Sequence, residues 1–350
     1  MSIILNLLLF ILILGVIVFI HEFGHFIFAK MNGVYVYEFA IGMGPKLIGK
    51  KGKETEYTLR AIPIGGFCSL AGEEVDQDDI KVPKGRRLQD KKAWQRFLIM
   101  FFGAGNNFIG AIIILLFISL VWGGSDLTPR ISSADIKYPA AQAGIEKNDI
   151  IKEIDGHKIS TVDDISLYLT IANHKKPTTI KVLKTNNKIK TYKVVPEKKK
   201  VNKQTTYVYG LGLKQKKTKG ILNAFKYTFE KTKSIFKQMF ITVFYLFTGK
   251  IRLSQMSGPV GIYSVVGQQS KAGLSSILYL VAFLSINVGF INLLPLPAFD
   301  GGHILFILIE IIKRKPVDPK VENTIHTVGM VLLMLLMLYV TFNDIFKLVK

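Results

Sequence analysis

Two histidines four residues apart, with a glutamate beside the first, make His21, Glu22 and His25 of "HEFGHFIFAK" the first candidates for chemistry. In a helix, residues at i and i+4 leave the same face about 6 Å apart in rise, so both imidazoles can converge on one ion. Histidines so placed bind Zn2+, and the neighbouring glutamate can take a proton from the water that attacks a peptide carbonyl. The setting sharpens the motif. It ends the run "IILNLLLFILILGVIVFI", which has no ionisable side chain, and ionisable groups at membrane depth are costly and mark functional sites.

A catalytic zinc needs a third protein ligand and an open position. The stretch "INVGFINLLPLPAFDGGHIL", residues 286–305, interrupts a later apolar segment with Pro295, Pro297, Asp300, Gly301, Gly302 and His303. Broken backbone at that depth survives only against protein or a water-filled cavity. Asp300 is the expected third ligand, since a carboxylate also balances the ion's charge. His303 is the alternative. His157, His174 and His326 have no partner motif and read as surface or helix-end residues. Asn287 and Asn292 flank the break, where amides either satisfy freed backbone groups or grip substrate and a developing oxyanion.

The elements that carry these residues belong to a membrane protein. Of 350 residues, 49% are hydrophobic and 24 are Phe, too apolar for an ordinary soluble domain. The single Cys68 excludes an intramolecular disulfide and thiolate zinc sites. A charge of +21 comes with no nucleic-acid signature, so anionic lipids are the expected counter-charge and nucleic acid is not an expected partner. Apolar stretches at 3–28, 97–122, 276–296 and 327–347 are long enough to span. The first lacks a basic n-region and a small-x-small cleavage site, so it reads as a retained span. The 13 Lys and Arg from Lys30 to Arg96, and the basic "IKRKPVDPK", place the loops after the first and third spans in the cytoplasm. The N-terminus and residues 124–275 then face outward; long translocated domains are exempt from the charge rule.

The motifs "HEFGHF", "IPIGGFCSLAGE", "SGPVGI" and "NLLPLPAFDGGHIL" together resemble the bacterial branch of the site-2 intramembrane zinc metalloproteases, peptidase family M50, in a short form with one PDZ domain. The resemblance implies one Zn2+ per chain held by His21, His25 and Asp300, with Glu22 as catalytic acid/base and Asn292 as a substrate contact. It also implies single-span membrane substrates, such as anti-sigma factors or remnant signal peptides, cut within or near the transmembrane segment. Two positions depart from the family pattern: Phe299 stands before Asp300 in place of Leu, and Ala104 in "FFGAGNNF" replaces a proline, which puts a helix distortion there in doubt. The strand "YTLRAIPIGGFCSLAG", with Gly65, Gly66 and Phe67, suits edge pairing with an unwound substrate, and similar proteins place it as a re-entrant β-loop.

"PAAQAGIEKNDIIKEIDGHKI" looks like a PDZ domain, with a short helix from Pro139, a turn at Gly144 and a strand into Asp155-Gly156. The strands "TTIKVLK" and "KTYKVVP" and the later "YVYGLGL" are expected to complete the domain. Asn148 replaces a family glycine and tolerates positive φ. Such a domain would recognise peptide ends or exclude bulky substrates. From 221 to 246, Leu222, Phe225, Phe229, Phe236, Met239, Phe240 and Val243 alternate with Lys226, Lys231, Lys233 and Lys237, a basic amphipathic helix suited to the membrane interface.

The expected fold class is an α-helical polytopic membrane protein of about four transmembrane helices, with a re-entrant β-loop and an inserted extracytoplasmic α+β PDZ domain. Residues 1–30 form the first span with the zinc motif, 31–95 the cytoplasmic or re-entrant β-hairpin region, and 96–123 the second span. Residues 124–215 form the PDZ domain and 216–275 the amphipathic helix and connector. The third transmembrane segment is 276–312, a cytoplasmic loop is 313–326, and the fourth span is 327–350. Two alternatives stand beside a zinc endopeptidase. One is a non-catalytic PDZ scaffold. The other is a membrane zinc peptidase acting on soluble or prenylated peptides, which would bring a downstream Glu in place of the Asp-Gly.

Overall fold

The structure, a computed structural model, describes residues 3–73, 82–201, 204–213, 215–251 and 258–349. Helix α1 (Ile3–Met31), strands β1 (Val36–Lys51) and β2 (Glu56–Leu70) and helix α2 (Ala93–Trp122) come first. There follow β3 (Gly124–Ser125), β4 (Ser133–Ala134), α3 (Pro139–Gln142), β5 (Ile150–Ile154), β6 (His157–Lys158) and α4 (Val162–Ile171). Next are β7 (Thr178–Leu183), β8 (Ile189–Val194), β9 (Glu197–Val201), β10 (Gln204–Val208), β11 (Leu211–Gly212), β12 (Lys217–Thr218) and α5 (Ile221–Phe247). Helices α6 (Pro259–Lys271), α7 (Leu274–Asn292), α8 (Asp300–Lys313) and α9 (Pro319–Val349) complete the chain. It divides into two compact units, one of Met1–Leu115 with Met256–Lys347 and one built on Leu116–Gln255.

In the first unit α1 is apolar on every side up to His21 apart from Asn6, as suits a helix surrounded by lipid and neighbouring helices. Among the described residues four helices, α1, α2, α7 and α9, are long and apolar enough to cross a bilayer. Phe10, Ile13 and Ile17 of α1 bury against Val266 of α6 and Leu280 and Val281 of α7. The third apolar segment breaks between α7 and α8, at the Leu293–Phe299 stretch containing the two prolines. Helix α9 starts at Pro319, so most of the loop expected over 313–326 is helical. Proline at a helix start costs nothing, because its missing N–H would have no partner there. Helix α2 is unbroken through Ala104, running from Ala93 to Trp122, and Ala104 is fully buried.

Strands β1 and β2 bend back on themselves, so each is used twice. Phe39 is partnered by Cys68 on one side and by Tyr57 on the other, and Ile41 by Gly66 and Leu59. Residues 66–70 therefore form the outer strand on one side of Phe39 and 56–59 lie on its other side. A Cβ on Gly15 would lie 3.6 Å from the Pro63 carbonyl, and one on Gly66 would lie 3.8 Å from a Val18 methyl, so β2 runs along the middle of α1.

The second unit has a four-stranded sheet, order β6-β5-β7-β8, closed by α4 around Ile151, Ile154, Ile165, Ile180 and Val182. Asn148 takes φ 72°, and Asp155 and Gly156 take φ 46° and 82° in the tight turn between β5 and β6. "YVYGLGL" lies beside this sheet within the same unit: Tyr207 and Val208 end β10, paired with β9, and Leu211 and Gly212 form β11, paired with β4. Helix α4 escaped the sequence reading, although Thr161 and Asp164 form a capping box. Helix α5 buries Ala224, Thr228, Lys231, Ser234 and Ile235 and leaves Leu222, Phe225, Phe229 and Phe240 exposed. Lys231 is thus on the packed face, 2.7 Å from Asp163 of α4, and Lys237 is 2.8 Å from Asp164.

Candidate metal centre

His21 and His25 lie one turn apart on α1, and Asp300 is the first residue of α8. The structure brings these three together: His21 Nε2 and His25 Nε2 are 3.3 Å apart, and Asp300 Oδ2 is 3.3 Å from the first and 3.4 Å from the second. Tetrahedral zinc, with bonds of about 2.0–2.2 Å, holds its ligand atoms about 3.3–3.5 Å apart. The triangle of donors has that edge length. Asp300 Oδ2 is buried and makes no hydrogen bond, an orphaned carboxylate oxygen facing two ring nitrogens. The residues present therefore fit a zinc ion.

The surroundings orient the rings. His25 Nδ1–H donates to the Ile99 carbonyl at 3.0 Å, which leaves a lone pair on Nε2. Around His21, the amide of Asn107 lies 3.3 Å from Nδ1 and that of Asn292 lies 3.3 Å from Nε2. A half-turn of the Asn107 amide exchanges its oxygen and nitrogen and offers an acceptor to Nδ1–H, the tautomer that frees Nε2 for a cation. Asn107 is fully buried, and Ser285 of α7 donates its hydroxyl to the Asn107 backbone carbonyl at 3.0 Å. Close helix approach makes this possible. A Cβ on Gly103 would lie 2.1 Å from His25 Nε2, and one on Gly289 would lie 2.9 Å from the Ala104 carbonyl, so small residues admit the ring and the neighbouring helix.

Glu22 is half-buried on the adjoining face of α1, with the Cys68 backbone amide within hydrogen-bonding reach of its carboxylate. Residues 66–70 of β2 thus run beside it. Within that strand Gly65 takes φ 85°, Gly66 approaches the Ala40 carbonyl, and the Phe67 ring is covered by the Arg60 guanidinium at 4.8 Å. Cys68 is buried with Phe39, Leu70 and Met100, where its side chain serves as an apolar filler.

Several expectations need correction. Asn287 does not flank the break; it is five residues inside α7 and its amide donates to the Phe283 carbonyl of its own helix. His303, the alternative ligand, turns away to Glu322. His326 is no isolated helix-end residue, for it accepts the Ala298 N–H and stacks on His303. His157 is exposed in β6 and His174 lies in the turn after α4, surface and helix-end positions as expected, with their rings stacked on Tyr168 and Tyr207. Asn107 was missed, although two adjacent amides in the apolar "FFGAGNNF" were a readable signal.

Comparison with known proteins gives the family. Residues 9–336 match Peptidase family M50. Relatives in Clostridium perfringens (41% identical, 94% of this chain and 95% of theirs), Clostridium acetobutylicum (36%, 97% and 97%) and Fusobacterium nucleatum (38%, 97% and 98%) are similar over nearly their whole length. Each carries the provisional name of a zinc metalloprotease. With its multi-pass array of apolar helices, a His/His/Asp cluster shaped for zinc and a match over most of its length, this chain belongs to peptidase family M50, the zinc-dependent site-2 proteases.

Proposed function

We propose that this chain is an intramembrane zinc endopeptidase that cuts single-span membrane proteins, such as anti-sigma factors or remnant signal peptides, within or near their transmembrane segment. The observation that carries the reading is the triangle of His21, His25 and Asp300, with an unpaired carboxylate oxygen and the edge length of a zinc tetrahedron. When bound, zinc supplies a Lewis acid that acidifies water and polarises a carbonyl. His21, His25 and Asp300 hold the ion. Glu22 takes the proton of the attacking water and passes it to the leaving amine. Asn292 donates its amide to the carbonyl oxygen as charge develops there.

A transmembrane helix must be unwound before its backbone can react. Residues 65–67 and the strand that continues from them offer an edge for the extended segment, beside Glu22. The passage of β2 along the middle of α1 supports a re-entrant loop, as do the exposed Ile41, Met43, Leu47, Ile48 and Ile62, which suit lipid better than water. We assign the α+β unit as a PDZ domain on the outer side that selects or excludes substrates. The exposed Phe row of α5, with Lys226 and Lys233, suits anionic lipid at the interface. A scaffold would have no need of three converging donors and a glutamate.

Wild type and Glu22→Gln, purified in detergent, test the reading. Both are expected to hold about one zinc per chain, while cleavage of a single-span model substrate falls about 10²–10⁴-fold in the variant. Equal cleavage by the two, or a wild type without zinc under metal-replete conditions, would sink it.

A further inference from the structure

Three more side chains gather beside the break: His303 of α8 with Glu322 and His326 of α9. A second cation site is the obvious reading, and the geometry opposes it. His326 Nδ1 accepts the Ala298 N–H at 3.2 Å, so the neutral ring carries its proton on Nε2, where no lone pair remains for a metal. The His303 and His326 rings stack with centroids 3.9 Å apart and planes 13° from parallel, so lone pairs lying in those planes do not converge.

What the trio holds is backbone. Ala298 lies two residues before Asp300 and takes φ 73°, a left-handed conformation disfavoured for a residue with a side chain. Its N–H is the one that His326 accepts. Glu322, His326 and Gly329 share one face of α9 at i, i+4 and i+7, and each meets this region. Glu322 Oε1 is 3.2 Å from His303 Nδ1, and a Cβ on Gly329 would lie 2.1 Å from the Pro297 Cβ. On the far side of the same loop, a Cβ on Gly302 would lie 3.0 Å from His326 Cε1.

We propose that His326 is a positioning residue for Asp300: by accepting the Ala298 N–H it holds the left-handed turn from which Asp300 reaches His21 and His25. This role rests on the reading of those three residues as the zinc site. The test uses the full chain in detergent, as wild type, His326→Leu, His326→Asn, Asp300→Asn and the double variant Ala298→Gly/His326→Leu. Asparagine presents Oδ1 where the ring presents Nδ1, and glycine takes positive φ without strain. The readouts are zinc affinity by chelator competition and the visible spectrum of the Co2+-substituted protein, neither of which depends on cleavage.

His326→Leu is expected to lower zinc affinity about 10–100-fold and to change the Co2+ spectrum. His326→Asn and the double variant should return toward wild type. A His326→Leu protein with wild-type affinity and spectrum overturns the role, as does His326→Asn being as impaired as His326→Leu with no recovery in the double variant. If Asp300→Asn weakens zinc binding but His326→Leu does not, only the positioning role falls. If Asp300→Asn binds zinc as wild type does, the zinc-site reading fails and this role with it.

Discussion

His25 Nδ1–H spends its proton on the Ile99 carbonyl, and that one hydrogen bond makes Nε2 the free nitrogen. Its ring is accommodated only because residue 103 has no side chain. Gly103→Ala is therefore expected to leave α2 intact, alanine being the better helix former, while pushing His25 out of the triangle. Zinc content and cleavage should both fall, by about tenfold or more; full zinc occupancy in this variant would show that the ring has room to yield. His21, Glu22, His25 and Asp300 were legible as residue types at telling spacings. Asn107 was not, because an amide in an apolar helix has no periodic signature and its worth depends on which ring it meets.

Among elements, the bent pair of β1 and β2 has to be held against α1 for its outer strand to lie beside Glu22. Glu54, between the strands, is one tie: Arg86 donates to both of its carboxylate oxygens, and Lys30 at the end of α1 is 3.0 Å away. These bonds, those from Arg86 first, hold the Glu54 carboxyl down at about 2. A depressed carboxylate stabilises the fold above its unfolded value, near 4.5, and that contribution is lost as pH falls toward 2. Glu54→Gln should thus lower thermal stability at neutral pH by about 0.5–1 kcal/mol, since solvent screens the partly exposed group. Melting curves of the two proteins should converge as the pH approaches 2; a gap that persists there would assign the loss to packing. The strands themselves were readable from "YTLRAIPIGGFCSLAG", but their double use was not, because a residue that pairs on both edges looks in sequence like one that pairs on one.

At the scale of the molecule, "SGPVGI" has its explanation far along the chain. Ser257 lies outside the described residues, but Gly258 and Gly261 both donate their N–H to Oδ2 of Asp344 in α9, at 2.7 and 2.8 Å. The carboxylate caps α6 from another helix, favoured also by the positive end of the helix dipole. Through α6, which meets α1 where Ser270 donates to Asn6, α9 is tied to the helix that bears the histidines. Asp344→Leu strands two N–H groups and is expected to cost about 2–4 kcal/mol in unfolding measurements, with Asp344→Asn losing less because one oxygen remains. Equal stability of the leucine variant would mean that the cap is dispensable. In the second unit the charge pattern of α5 was visible, whereas the choice of packed face was not. Asp163 and Asp164, at the start of α4, draw in Lys231 and Lys237 and leave the phenylalanines outside.

The sequence by itself determined the spans, the break at the prolines, the candidate metal-ligand residue types and the family, because each rests on local facts: run length, a missing N–H, spacing around a helix, a matching motif. It also identified Asn148 as a position for positive φ, which depends only on that residue's own backbone. Only the tertiary structure decided that Asp300 and not His303 turns to His21 and His25, that Asn107 and Asn292 line the site while Asn287 does not, and that His326 holds the loop before Asp300. These outcomes depend on which helices approach closely enough to share a hydrogen bond. That approach is set by glycines such as Gly103, Gly289 and Gly329, whose partners are 78, 185 and 32 residues away in the chain at His25, Ala104 and Pro297. Spacing around one helix is written in its own residues, whereas contact between helices is a property of two surfaces at once.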